Sequence, residues 1–192
     1  MASVLLLLDT INDLLHPDGA FGKSAVAEQV KARGVVLRTA SLVARAREAG
    51  VHVGYVRIGF SEDYKEAPPW SPIFSPAREE RFFRAASWGG QVHDALRPQA
   101  GDFEIVKHRV SPFYATTLDL VLRQLGTSDL YIAGVSTNGV IASAVKEAHD
   151  RDYRCHVFED ACAAANMANH DAAILISSRY AEILNSETFT FV

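Results

Sequence analysis

Cysteine is nearly absent from this chain of 192 residues, occurring only as Cys155 and Cys162. Two thiols are too few for a disulfide framework, and they lack the paired Cys-x-x-Cys spacing of a structural zinc site. An excess of basic charge is missing as well. The formal net charge of −4 gives no general attraction to a polyphosphate, so a nucleic acid is not an expected partner. The basic stretch Lys31, Arg33, Arg38, Arg45 and Arg47 interleaves with Val36, Ala40, Val43 and Ala44 at helical spacing, which reads as the solvated face of an amphipathic helix. No apolar run approaches a membrane span, and Met1-Ala2-Ser3 enters the first apolar run without a basic leader. The expectation is a cytoplasmic protein with no membrane partner. Repeats and low-complexity tracts are also lacking, and 48% apolar residues suffice for a full core in one domain over 1–192.

What the chain does have is a series of short apolar runs. Val4 to Leu8 is continuous and ends in Asp9, as expected of a parallel strand buried on both faces. Similar runs recur at Val51 to Val56, Phe103 to Val106, Leu130 to Ala133 and His156 to Phe158, with helix-period segments between most of them. That alternation predicts a three-layer α/β domain on a mostly parallel sheet. Ligands of such sheets collect beyond the carboxyl ends of the strands. Asp9, Lys107, the turn at Gly134 and Asp160 would therefore be delivered to one place by four strands.

Residues 59–90 break the pattern. Pro68, Pro69, Pro72 and Pro76 alternate with Phe60, Tyr64, Trp70, Phe74, Phe82, Phe83 and Trp88 and keep no sustained period. Long irregular segments tend to be binding loops or disordered, and this aromatic content argues against disorder. The segment is expected to line a substrate pocket, with Trp88 a candidate contact, or to bury itself against a second subunit.

Asp9, at the mouth of the sheet, is the strongest candidate for chemistry. Burial raises a carboxyl pKa, and an ammonium such as Lys107 nearby lowers it again. The alternative is an Asp-Lys pair that only ties two strands together. Gly134 to Val140 places backbone donors at the start of a helix, where Thr137 and Asn138 are expected as caps. Free N–H groups there can hold a carbonyl oxygen or an oxyanion. Among the histidines, His16 reads as part of a turn, His108 as a surface or supporting group, and His149 and His170 as solvent-facing helix residues.

Leu8-Asp9-Thr10-Ile11-Asn12-Asp13, Val106-Lys107 and Gly134-Val135-Ser136-Thr137-Asn138, in this order and spacing, resemble the isochorismatase-like hydrolase superfamily. The resemblance covers essentially the whole chain and implies a six-stranded parallel sheet between helices, a small-molecule substrate and a homo-oligomer. It makes Asp9 the acid/base and Lys107 the catalytic lysine. Asn12, Ser136, Thr137, Gly139 and Val140 become candidate substrate contacts, and the Val135-Ser136 peptide is expected to be cis. Two positions depart from the pattern: Ile11 stands where glutamine is frequent, and Val140 occupies the place of the amidases' nucleophilic cysteine. Some amidases of the superfamily hold zinc or iron through an Asp-x-His pair after the second strand, but here the residues are Arg57-Ile58-Gly59-Phe60, so neither metal nor cofactor is expected.

Valine has no lone pair, which excludes a thioester route at position 140. Isochorismatases also lack the cysteine, having a small residue instead, and the resemblance implies for them an aspartate that protonates a vinyl ether before water adds. Valine is bulkier than that small residue, so an isochorismate pocket is not implied. Three expectations follow: a hydrolase using Asp9 and water, an inactive binding or assembly module of the same fold, or an amidase with a displaced thiol at Cys162. The last competes with Cys162 as a small apolar core residue.

Overall fold

A computed structural model describes residues 2–191. Six strands, β1 (Ala2–Leu8), β2 (His52–Ile58), β3 (Phe103–Lys107), β4 (Thr127–Val135), β5 (Arg154–Ala163) and β6 (Ala181–Leu184), form one sheet in the order β3-β2-β1-β4-β5-β6. Every neighbouring pair is parallel. The order reverses between β1 and β4, which opens a crevice at the carboxyl ends of those strands. The first five strands coincide with the apolar runs of the sequence. The sixth, half-buried and only four residues long, carries too weak a pattern to be seen there.

β1 shows why the fold needs two covering layers. Its side chains alternate between faces, and both faces are apolar. Val4, Leu6 and Leu8 pack with Leu118 and Leu122 of α5 (Leu118–Gln124) and Ala144, Val145 and Ala148 of α6 (Ala142–His149). Leu5 and Leu7 pack with Val35, Leu42, Val43 and Ala46 of α3 (Val35–Glu48). A preceding helix, α2 (Ala25–Ala32), is capped by the Ser24 hydroxyl, and Gly34 in the left-handed region turns the chain from α2 into α3. A short helix α1 (Asn12–Leu15) follows β1, and α7 (Met167–Ser177) follows β5.

The basic stretch departs from expectation. Of its five cations only Lys31 is exposed. Arg33 donates to the carbonyls of Cys162 and Glu159 and to the Glu159 carboxylate. Arg38 pairs with Asp160 and Glu187, Arg45 donates to the carbonyls of Ser186 and Phe189, and Arg47 reaches Asp102. The face read as solvated instead fastens α3 to the sheet edge and to the segment after β6, because a long arginine can cover apolar surface while its head finds carbonyls.

Residues 59–90 contain a short helix, α4 (Ser75–Glu80), and a core of their own. Phe60, Tyr64, Phe74, Phe82 and Phe83 are buried with Ile11 and Ile58. Most of the aromatics thus cover one another inside the chain, while Trp70 stays 81% exposed. Among the described residues no helix is long and apolar enough to cross a membrane.

Candidate active site

Asp9 is the first residue beyond β1. Its φ of 53° lies in the left-handed region, unusual for a residue other than glycine and tolerated best by Asp and Asn. Its N–H donates to Val56 O at 2.9 Å, which holds the backbone against β2. The side chain then points across the strand ends. Oδ1 accepts the Ile58 N–H at 2.5 Å, and Oδ2 lies 2.9 Å from Lys107 Nζ. Lys107, 2% exposed at the end of β3, also donates to Arg109 O at 3.0 Å. Burial raises the Asp9 pKa above its ordinary value, and the Lys107 charge and the two hydrogen bonds only partly oppose it.

Beside this pair, β4 ends against β1 so closely that a Cβ on Gly134 would lie 2.0 Å from Leu8 O. Gly134 pairs with Leu8 and has a φ of 133°, so only glycine fits. The next peptide, Val135-Ser136, is cis, as the motif implies. The chain continues through a wide π-type turn, Thr137–Ile141, into α6. Asp9, Lys107, Val135, Ser136, Gly139 and Val140 all line one cavity of about 250 Å³, whose other walls come from Leu14, Phe21, Val26, Ile58, Ile73, Phe74, Phe83 and Val110.

Not every expected residue reaches this cavity. Asn12 donates to Trp88 O at 2.9 Å, and both side chains line a separate surface hollow with Gln91 and Arg97. Thr137 is fully buried, and its hydroxyl lies 2.8 Å from His170 Nδ1, so it neither caps the helix nor faces the cavity. Asn138 is exposed and caps nothing. Gly139 N–H donates to Ser136 O at 3.1 Å and is already committed, whereas Val140 N–H has no partner outside its own turn. Asp160 turns away to accept from Ser186 and Arg38. His170, expected at the surface, is 2% exposed, because it closes a polar cluster with Thr137, Glu159 and Arg33. His149 is exposed, and His108 Nδ1 contacts Gly59 O.

Cys162 is 0% exposed, packs in the main core and does not line the cavity, and burial pushes its thiol up to about 12. Cys155 is buried on the same terms. At the end of β2, Arg57 is bonded to the carbonyls of Ala85 and Gly90, and Ile58 is buried. Neither side chain suits a cation. Among the described residues no three His, Cys, Asp or Glu side chains are grouped to hold one.

Sequence reasoning missed the residues that enclose the cavity from outside the motifs: Leu14, Phe21, Val26, Ile73 and Val110. It also missed Asp13, whose buried carboxylate accepts the N–H groups of Phe83 and Ala20 while its own N–H donates to Gly89 O. Asp13 fixes the irregular segment to α1. Its place in Asn12-Asp13 was the only available signal.

The sequence matches the Isochorismatase domain over residues 3–188. The chain belongs to this family. Ureidoacrylate amidohydrolase RutB of Methylorubrum extorquens is 33% identical over 173 residues, spanning 83% of this chain and 69% of that protein. An isochorismatase family protein from Desulfovibrio vulgaris superposes with a TM-score of 0.85 at 25% identity, covering 97% of this chain and 95% of the other. N-carbamoylsarcosine amidase from Thermoplasma acidophilum gives a TM-score of 0.78 at 26% identity, covering 98% and 99%. The chain is thus a member of a hydrolase family with small-molecule amidohydrolases among its relatives.

Proposed function

We propose that the protein hydrolyses a small molecule, with Asp9 as the acid/base and water, in place of a thiol, as the nucleophile. The observation that carries this is the placement of the Asp9–Lys107 pair and Val140 on one cavity. Asp9 keeps acceptor capacity, since a carboxylate has about four lone-pair sites and two are used, by Ile58 and Lys107. As a water oxygen bonds to the electrophilic carbon, Asp9 takes the water proton. It returns that proton to the leaving nitrogen or oxygen as the bond to carbon breaks. Lys107 holds the carboxylate in place and offsets its charge, and the N–H of Val140, a residue that lines the same cavity, serves as donor to the substrate oxygen. Asn12, Trp88 and Thr137 act at one remove, by holding the loop and the turn that bound the cavity. Exposed Trp70 and Ile73 support self-association of the protein beside the cavity mouth.

The occupied state of both Asp9 oxygens favours one second reading, a binding module in which the pair is structural. Screening amides, carbamates, ureides and enol ethers for product, with Asp9→Asn as control, separates the two. Turnover abolished by Asp9→Asn supports the hydrolase. Ligand binding without turnover, unchanged in Asp9→Asn, supports the module.

A further inference from the structure

We infer that the cavity selects an electrically neutral, largely apolar substrate carrying a single polar group, and rejects molecules bearing a carboxylate. The inference rests on the proposed Asp9 site and specifies what that site admits.

The walls leave little choice. Leu14, Phe21, Val26, Ile73, Phe74 and Val110 present only hydrocarbon. Among the described residues the only cation lining the cavity is Lys107, and its charge is spent on Asp9 at 2.9 Å. The nearby cation Arg109 is turned away, donating to the carbonyls of Glu66 and His108. A substrate carboxylate would therefore enter an apolar chamber next to an existing carboxylate with no free positive partner, an arrangement that burial penalises heavily. A neutral ring or short chain meets the opposite situation, because it replaces water on hydrocarbon walls.

The one uncommitted polar side-chain atom lining the cavity is Ser136 Oγ, which has no hydrogen-bond partner among the described residues. A Cβ on Gly139 would lie 2.7 Å from it, so the glycine keeps the hydroxyl's space open. Ser136 Oγ can donate to or accept from one substrate group, and with the Val140 N–H it fixes the orientation that hydrocarbon walls cannot. The volume of about 250 Å³ is below the ~300 Å³ at which drug-sized sites begin, and this limits the occupant to about one ring or a short chain.

Matched pairs test this on the wild-type protein: benzamide and its para-carboxy derivative, butyramide and succinamate, phenyl carbamate and its para-carboxy derivative. Binding is read by calorimetry and turnover separately by mass spectrometry. The neutral member of each pair is expected to bind about 10²-fold more tightly than its carboxylated partner, and Ser136→Ala to weaken that binding about 10-fold. Equal or tighter binding of the carboxylated members, or no binding by any neutral member, overturns the inference. Neutral preference without any hydrolysis leaves the inference standing and removes the hydrolase reading. Hydrolysis confined to carboxylated members does the reverse.

Discussion

Thr137 Oγ1 lies 2.8 Å from Nδ1 of His170, a buried contact that ties the turn bordering the cavity to α7. On its other side, His170 Nε2 is 3.3 Å from a Glu159 carboxylate oxygen and 3.1 Å from an Arg33 nitrogen. Cutting this chain at its middle strands a hydroxyl and leaves a void. His170→Ala is expected to lower stability by about 1–3 kcal/mol, read as a shifted denaturant midpoint. A midpoint equal to that of the wild type would show that the contact is dispensable.

The same histidine makes stability depend on pH. Burial, then the Arg33 charge, lower its pKa below the ordinary value, so the folded protein favours neutral imidazole. A depressed folded pKa means that its contribution is present above the unfolded value of about 6.5 and is lost as pH falls through the folded value. Melting temperature should therefore decline on the acid side, and His170→Gln should flatten that decline. An unchanged acid slope in the variant would assign the pH dependence elsewhere.

Asp9 and Lys107 should fail in different ways. Asp9→Asn keeps a residue that tolerates the left-handed backbone, so it should fold and lose about 10²–10⁴-fold in turnover. Lys107→Met leaves a buried carboxylate without its partner and should cost about 3–5 kcal/mol. The double substitution should recover much of that loss, as equilibrium denaturation can measure. Additive losses would argue against direct coupling.

Both native thiols should be silent in the folded protein. Burial pushes Cys155 and Cys162 up to about 12, so iodoacetamide should modify them only after denaturation, and Cys155→Ala/Cys162→Ala should retain turnover. Val140→Cys would add a thiol on the cavity wall, and its alkylation should slow when Asp9→Asn is introduced. Loss of turnover in Cys162→Ala with the fold intact would revive the displaced thiol.

Self-association is expected to depend on Trp70. Light scattering at micromolar concentration should give a mass above the 21.0 kDa chain, and Trp70→Ser should move it down. A single species at chain mass for the unaltered protein would reject the expectation. Phe74, Phe82 and Phe83 do not contribute to such a surface, since they are covered from within.

Legibility from sequence followed the periodic signal. β1 was plain because five consecutive buried apolar residues end in a carboxylate, and Lys107 and the Gly134 turn stood at the ends of comparable runs. β6 was hidden because an edge strand of four residues, three half-buried and one exposed, has no face to advertise. The core built on Phe60 and Tyr64 was equally hidden, since its order comes from contacts among loop residues rather than from a repeat. His170 was misplaced for a related reason: helical spacing reports an average face, and a polar group satisfied in the interior looks like a surface group until its partner is seen; Thr137, expected as a cap, is that partner. The arginines of α3 show the converse, with carbonyls from distant segments supplying partners that no local pattern encodes.

The left-handed backbone at Asp9 sets durability and chemistry against each other at a single position. Glycine there would relax the conformation and, with Asp9 gone, remove the proton carrier. Asparagine would keep the shape and lose the proton affinity. The relief is small beside the charge it strands, because any neutral residue at position 9 leaves the Lys107 ammonium buried without its partner. A lineage released from the reaction should therefore lose Asp9 and Lys107 together, and a substitution series at residue 9 should gain thermal endurance only once Lys107 has also been replaced.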